Sequence, residues 1–355
     1  MRGRDGRRAL VSVVVPAYNA AAHLRPTLAS ALAQTYAALE VLVVNDGSTD
    51  ETVALVEAFA AEDERVRLLH QPNRGVAAAR NLGILHAEGD YIAPLDADDL
   101  WHPRKIEAQV RTMEGGGEGV GLVYAWWSSI DGAGARRYAA HPWAVEGDVY
   151  EALLSFNFIG NASVPLLRRD SVEAVGGYDP TLRARGGQGC EDWDLALRIA
   201  ERYEFLVTPA YLVEYRLSWG SMSADCKAMK RSYDLMMQHA RSRHPGTPER
   251  VYRCAESHFC RHLADVSWSE GRRAEAWGWF RRAFLGGAAV ATPWRAALAL
   301  DALPAPLRKA AAPLARRWTA PSGYGLRGRP ELGASPSAAP TPERHRPLSD
   351  GFAVD

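Results

Sequence analysis

The chain has 355 residues, 47% of them apolar and 24% charged, and 42 Lys and Arg are balanced by 42 Asp and Glu. That is the composition of an ordinary soluble globular protein with length for one large domain or two modest ones. A net charge of zero excludes a partner chosen by bulk electrostatics, nucleic acid included.

The four cysteines (Cys190, Cys226, Cys254, Cys260) form no CxxC pair and have no metal-ligand spacing. They read as reduced thiols of an intracellular protein. Residues 1–8 are basic, but the apolar run after them is short and ends at Pro16, so no secretion signal is expected. No apolar stretch approaches the roughly 20 residues that span a bilayer. The expected location is the cytoplasm, with peripheral contact at the inner face of the membrane as the alternative.

In chain order, residues 10–15 form a short β-branched apolar run that suits a buried parallel strand. Residues 23–33 read as a helix with Leu24, Leu28 and Leu32 on one face. Residues 41–44 are a second strand and Asp46-Gly47-Ser48 a turn. Ser48 and Glu51 then fit a capping box opening a helix to residue 60. A third strand at 66–69, a third helix at 75–86 and a fourth strand at 91–95 complete the first half. This β-α-β-α-β-α-β order predicts an open, mostly parallel sheet flanked by helices. In such sheets ligands bind beyond the carboxyl ends of the strands. The polar clusters Tyr18-Asn19, Asn45-Asp46, Asn73-Arg74 and 96–99 all fall at such ends.

Residues 115–119, rich in glycine, read as a flexible connection to a strand at 120–127. Residues 147–217 mix short helices and strands. The stretch 226–318 reads as helical, with helices at 250–268 and 273–285 and another after Pro293, packed by Trp268, Trp277, Trp279 and Trp294. It carries 17 Lys and Arg against 7 Asp and Glu. A solvated Arg-rich face accounts for that better than contact with anionic lipid or glycan. The organisation expected is a disordered terminus at 1–9, a first α/β half at 10–114, a second half of the same domain at 115–225, the basic helical extension at 226–318 and a disordered tail at 319–355.

A dinucleotide fold would place GxGxxG after the first strand, where this chain has Pro16-Ala17-Tyr18-Asn19, and no GxxxxGK[ST] is present. A diphosphate must then be neutralised differently, and the segment Leu95-Asp96-Ala97-Asp98-Asp99 offers carboxylates for a hard divalent cation. Asp96 and Asp98 alternate to one side of Ala97. The plain alternative is a solvated acidic turn with Asp99 capping the next helix.

Four ordered segments carry a resemblance: Val13-Val14-Val15-Pro16-Ala17-Tyr18-Asn19, Val43-Val44-Asn45-Asp46-Gly47-Ser48-Thr49-Asp50-Glu51, Asn73-Arg74-Gly75-Val76-Ala77-Ala78-Ala79-Arg80-Asn81 and Leu95-Asp96-Ala97-Asp98-Asp99. Over residues 10–217 the chain resembles the inverting family 2 glycosyltransferases with the GT-A fold. The resemblance implies that Pro16, Ala17, Tyr18 and Asn19 line the nucleobase and ribose. It implies that Asp46 accepts from uracil N3–H, that Asn73 and Arg80 border the nucleotide, and that Asp96 reaches the ribose or the metal. Asp98 would ligate the metal, Mg²⁺ or Mn²⁺. The plain reading of Asp46 is a turn residue bonded to its own backbone.

Gly176-Gly177-Tyr178-Asp179 and Cys190-Glu191-Asp192-Trp193-Asp194-Leu195 resemble the second half of the family pattern, with a helix at 195–202 and Asp192 as general base. One base suffices. The attacking hydroxyl must lose a proton, whereas a metal-bound nucleoside diphosphate leaves without a general acid, unlike the leaving group of a glycosidase. Glu191 is the alternative base, and Asp194 reads as a first-turn acid favoured by the helix dipole. Arg216, ending the strand Tyr215-Arg216, suits a phosphate bidentately. Ser218 stands where many members carry a histidine, so no metal role is assigned there, and 221–223 would order over the diphosphate. His23, His70, His86 and His102 have no metal spacing.

The expected activity is metal-assisted, in-line transfer of a sugar from a UDP-sugar or another nucleotide-sugar. The acceptor hydroxyl would belong to a glycan, a lipid-linked glycan, a protein or a small molecule. A non-catalytic nucleotide-sugar binder on the same fold is the alternative. A nucleotidylyltransferase is a third, weakened by the missing Gly-rich phosphate loop.

Overall fold

Strand β1 (Val11–Ala17) is buried along its length except at Pro16, and β2 (Leu39–Asn45) is buried throughout. Strands apolar on both faces need helices on both sides, and the chain supplies them as crossovers. The computed structural model describes residues 8–217 and 225–285, all within one compact unit. The expected helix after Pro293, Trp294, Ser218, the 221–223 segment and the tail at 319–355 lie outside the described residues.

The chain threads β1, α1 (Ala21–Leu32), β2, α2 (Thr52–Glu62), β3 (Val66–His70), α3 (Val76–His86) and β4 (Tyr91–Pro94). β3, β2, β1 and β4 lie side by side and parallel, with Pro16 opposite Val44 and Ala17 opposite Asn45. The expected alternation therefore holds, with each boundary within about two residues. The N-terminal side is ordered slightly earlier than expected, since Ala9 is buried and Arg8 lies over the Tyr36 ring.

The second half adds β5 (Leu100–Trp101), α4 (Lys105–Gly116), β6 (Val120–Ile130), β7 (Arg136–Ala139), α5 (Tyr150–Ser155) and β8 (Leu166–Arg168). It continues through α6 (Arg169–Ala174), α7 (Thr181–Ala184), α8 (Glu191–Ala200) and β9 (Glu204–Arg216). The sheet runs β3-β2-β1-β4-β8-β6-β9-β5, with β7 on β6. Only β6–β9 is parallel here; β8, β5 and β7 pair antiparallel, so the sheet is mixed.

Three local expectations are corrected. Ser48 and Glu51 form no capping box, because the Ser48 hydroxyl accepts from Asn19 N instead. Asp50, one residue before the N-cap, accepts from Thr52 N on Oδ1 and from Ala21 N of α1 on Oδ2. The 115–119 connection is not a free linker, since Gly115 and Gly116 end α4. A Cβ on Gly116 would lie 2.4 Å from Leu206 Cδ1 and 2.5 Å from Val120 Cγ2, so close packing demands glycine there. The expected helix at 195–202 begins earlier, at Glu191.

Helices α9 (Cys226–Arg243), α10 (Glu249–Ser269) and α11 (Arg273–Leu285) extend the core. The rings that join α8, α9 and α10 are Trp193, Tyr233 and Phe259, the last two stacked at 4.1 Å. Trp279 packs against the core from α11, whereas Trp277 is an exposed residue rather than the packing residue expected. Several of the extension's basic residues are ion-paired: Lys230 with Asp234 and Glu256, Arg241 with Glu249, Arg243 with Glu201, Arg272 with Glu270 and Glu275; of these acids only Glu201 lies outside the basic region. Among the described residues no helix is long and apolar enough to cross a membrane.

Candidate active site

The loops after β1 and β2 are stitched together. Asn19, in a left-handed conformation at φ 49°, accepts from Thr49 N at 2.8 Å and donates its own N–H to Ser48 Oγ. Pro16 and Ala17 belong to β1 rather than to a loop, and Ala17 is buried. Of the four residues expected to line a base, only Tyr18 presents a large exposed ring, at 53%.

Asp46 is buried and holds the loop before α3. Its Oδ1 accepts from Gln71 Nε2 at 2.6 Å and Arg74 N at 2.7 Å, and its Oδ2 from Gly75 N at 2.9 Å. These three bonds all go to the loop before α3, and it is Asn45 Oδ1 that accepts from Ser48 N within the turn. One acceptor site on Oδ2 remains, since a carboxylate offers about four. Asn73, on that loop, is exposed.

Arg80 does not border an open groove: it is 2% exposed on α3. Its Nη2 donates to Asp96 Oδ1 at 2.5 Å and its Nη1 to Glu191 Oε1 at 3.4 Å, while the Tyr178 ring lies 5.2 Å from the guanidinium carbon. Burial opposes the cation, but Asp96, Tyr178 and Glu191 hold its pKa above the ordinary value.

The turn after β4 separates its carboxylates by role. Asp99 is fully buried and caps no helix: Ser163 Oγ donates to its Oδ2 at 2.5 Å and Arg216 N to its Oδ1 at 2.9 Å. Burial and the charges of Asp98 and Asp96 push its pKa well up. Ser163 Oγ also accepts from Asp96 N at 3.0 Å. Asp98 is pushed up to about 6 by burial and by Asp96. Among the described residues no side chain donates to its carboxylate, which takes its own backbone N–H, while its carbonyl accepts from Arg216 Nε at 2.8 Å. A part-buried carboxylate with lone pairs left over, next to a second one, is the donor type a hard cation takes together with phosphate oxygens. Among the described residues no group of three His, Cys, Asp or Glu forms a closed metal cage.

Arg216 is corrected from phosphate ligand to loop clamp. It is 5% exposed, and its Nη1 donates to the carbonyls of Asp131 and Gly132 at 2.9 and 3.2 Å, in addition to the Nε bond to Asp98.

Asp192 stands in the first turn of α8, part-exposed on a small, mainly apolar cavity of about 20 Å³ that Asn157, Asn161 and Tyr178 also line. Trp193 N donates to its Oδ1 at 2.8 Å. Burial, then the charge of Glu191, pushes it up to about 7 against the pull of Arg80. Glu191 is buried, with Oε2 accepting from Gly189 N as Oε1 meets Arg80. Asp194 is buried and paired with Arg198 at 2.8 Å. Spacing arguments gave no hint of Ser163 or Asn161, which lie in no quoted motif. Tyr178 was visible inside Gly176-Gly177-Tyr178-Asp179, but not its place over Arg80.

Residues 12–173 match the family model for glycosyl transferase family 2. That segment is a family 2 glycosyltransferase domain. The glycosyltransferase GlyG of Streptococcus pneumoniae is 46% identical over 106 residues, 30% of this chain and 35% of that one. An uncharacterized glycosyltransferase of Rickettsia bellii is 34% identical over 161 residues, 45% of this chain and 22% of its own length. The chain thus spans well under half the length of these relatives. The mannosyltransferase PcManGT of Pyrobaculum calidifontis, solved with GDP-Man and Mn2+, superposes with a TM-score of 0.55 at 22% identity, covering 87% of this chain and 86% of that one. The shared GT-A-like fold extends beyond the family 2 segment.

Proposed function

We propose that this chain moves a sugar from a nucleoside-diphosphate sugar to an acceptor hydroxyl, with inversion at the anomeric carbon and Asp192 as general base. The observation that carries this is the contrast within one helical turn. Glu191 is tied to Arg80 and Gly189, whereas Asp192 faces a cavity with a pKa about 7, near the operating pH that suits a base. The acceptor O–H proton passes to the Asp192 carboxylate as the new C–O bond forms. The anomeric carbon–oxygen bond breaks, and its electron pair leaves with the diphosphate.

Asp98, with Asp96 beside it, would hold Mg²⁺ or Mn²⁺. Such an ion would supply charge neutralisation of the diphosphate. Tyr18 would stack on the base, and the open acceptor site on Asp46 suits an imide N–H, which favours UDP. Asn73, exposed beside Asp46, would border the nucleotide.

The test is nucleotide release from a panel of UDP- and GDP-sugars, with Mn²⁺ and after chelation. Metal-dependent release that falls on the order of 100-fold in Asp98→Asn is expected. Tight binding without turnover would sink the enzyme reading and favour a nucleotide-sugar-binding protein.

A further inference from the structure

Asn161 is 8% exposed and lines the Asp192 cavity. Its Oδ1 accepts from Ser163 N at 3.1 Å, which fixes which end of the carboxamide is which. Its Nδ2 is buried and has no hydrogen-bond partner among the described residues. Leaving such a donor unmade costs about 1–3 kcal/mol, so an unmade one at a functional cavity points to a ligand acceptor.

The loop is rigid and shared by both halves of the site. Asn157 Oδ1 accepts from Ile159 N and Gly160 N, and Ser163 is bonded to Asp96 and Asp99. Asn161 therefore sits on the loop that joins the donor-side carboxylates to the cavity of Asp192.

The same loop carries an aromatic wall. Gly160, at φ 105°, has the Trp127 indole directly on its α-carbon, and a Cβ there would lie 2.2 Å from Nε1. Trp127 meets Tyr138 at 6.0 Å and Tyr215 at 5.6 Å, both edge-to-face. Tyr138 is 51% exposed on β7. A fixed amide donor on the same loop as an aromatic wall, whose Tyr138 ring is exposed and whose Trp127 ring is part-buried, matches a molecule that has hydroxyl oxygens on its rim and an apolar C–H face. A pyranose ring is both; an acyl chain lacks the first and a peptide backbone lacks the second.

We propose that Asn161 Nδ2 and the Trp127–Tyr138 wall form the acceptor subsite, and that the acceptor is a carbohydrate. Asn161 donates to the hydroxyl oxygen whose proton goes to Asp192, and the sugar's C–H face lies on the rings. This rests on the reading of Asp192 as base.

Asn161→Ser keeps a hydroxyl to accept from Ser163 N but removes the amide donor, and Tyr138→Ala removes an exposed ring. Saturation-transfer NMR with cellohexaose, maltohexaose and chitohexaose reads binding to the wild type. Transfer kinetics read the acceptor KM, and thermal shift with the turned-over nucleotide-sugar reads the donor site. The expected result is saturation at ring C–H protons of at least one oligosaccharide. The acceptor KM should rise about tenfold in both variants, as for one lost hydrogen bond or ring contact, with the nucleotide-sugar thermal shift retained. Wild-type protein that binds none of the three, or variants whose acceptor KM stays within twofold, would overturn the subsite. Transfer to a plain lipid alcohol or a peptide in place of a sugar would overturn its class. If the wild type binds the sugars but releases nucleotide from no donor, the transferase reading falls, and the subsite stands on loss of the NMR signal in the variants.

Discussion

Arg80 Nη2 donates to Asp96 Oδ1 at 2.5 Å, and the same guanidinium reaches Glu191, 111 residues away in sequence. The cation therefore ties the turn that follows β4 to the start of α8, where Asp192 stands. Replacing it by Met would leave Glu191 buried without its counter-charge. The urea midpoint of Arg80→Met should fall by the equivalent of about 3 kcal/mol, the lower part of the range for breaking a buried pair because Asp96 is partly exposed. An unchanged midpoint would show that the tie contributes nothing to stability.

Asp192 should give kcat/KM an acid limb near pH 7, rising as the carboxylate forms, instead of near the ordinary carboxylate value of about 3.9. Asp192→Asn should lower transfer on the order of 100-fold or more and remove the limb. The linkage has a definite sign. A carboxyl raised in the folded state penalises folding once pH exceeds its unfolded value, and the penalty grows until pH passes about 7. Relative to wild type, the Asn variant should therefore gain melting temperature between pH 4 and pH 8. A constant difference across that window would refute the raised pKa.

Lys105 is fully buried at the start of α4, with Nζ 3.5 Å from Pro165 O and 3.9 Å from the Trp101 ring centroid. Burial pushes its pKa well below the ordinary lysine value. A base depressed in this way penalises the folded state below its unfolded pKa, and the penalty fades as pH rises towards about 10.4. Lys105→Met should be more stable than wild type at pH 7 by about 1 kcal/mol, with the gap closing towards pH 10. Thermal melts at pH 7 and pH 10 decide this, and a less stable Met variant at pH 7 would contradict it.

Gly160 combines a positive φ with the Trp127 contact. Alanine there should cost about 2–3 kcal/mol through strain and overpacking. The near-ultraviolet circular dichroism should change as Trp127 is displaced. A variant with native stability and spectrum would mean that the loop moves freely.

The alternation of short β-branched runs with amphipathic helices was legible to residue 95, because a strand buried on both faces and its crossover helix each leave a periodic imprint. The acidic segment at 96–99 was likewise visible, since three carboxylates in four residues are a local signal, whereas Asp192 stood out only through the resemblance to the family pattern. The mixed second half was less so: β8 and β5 span only three residues and two residues. Elements that short carry no period, and only their neighbours in the sheet make them strands.

What the linear chain determined by itself was the inventory of polar groups and the strand ends that present them. What tertiary structure alone decided was which of those groups are already engaged. Asp99, Arg216 and Arg80 look as available in sequence as Asp98, Tyr18 and Asp192. In the fold the first three are buried against Ser163, backbone carbonyls, Asp96 and Glu191. Asn161, silent in sequence, is left with a buried donor beside Asp192. The physical reason is that hydrogen bonds joining residues 16 to 118 positions apart leave no periodicity to read, while the desolvation that fixes each group's charge and reach arises only once the chain has closed around it.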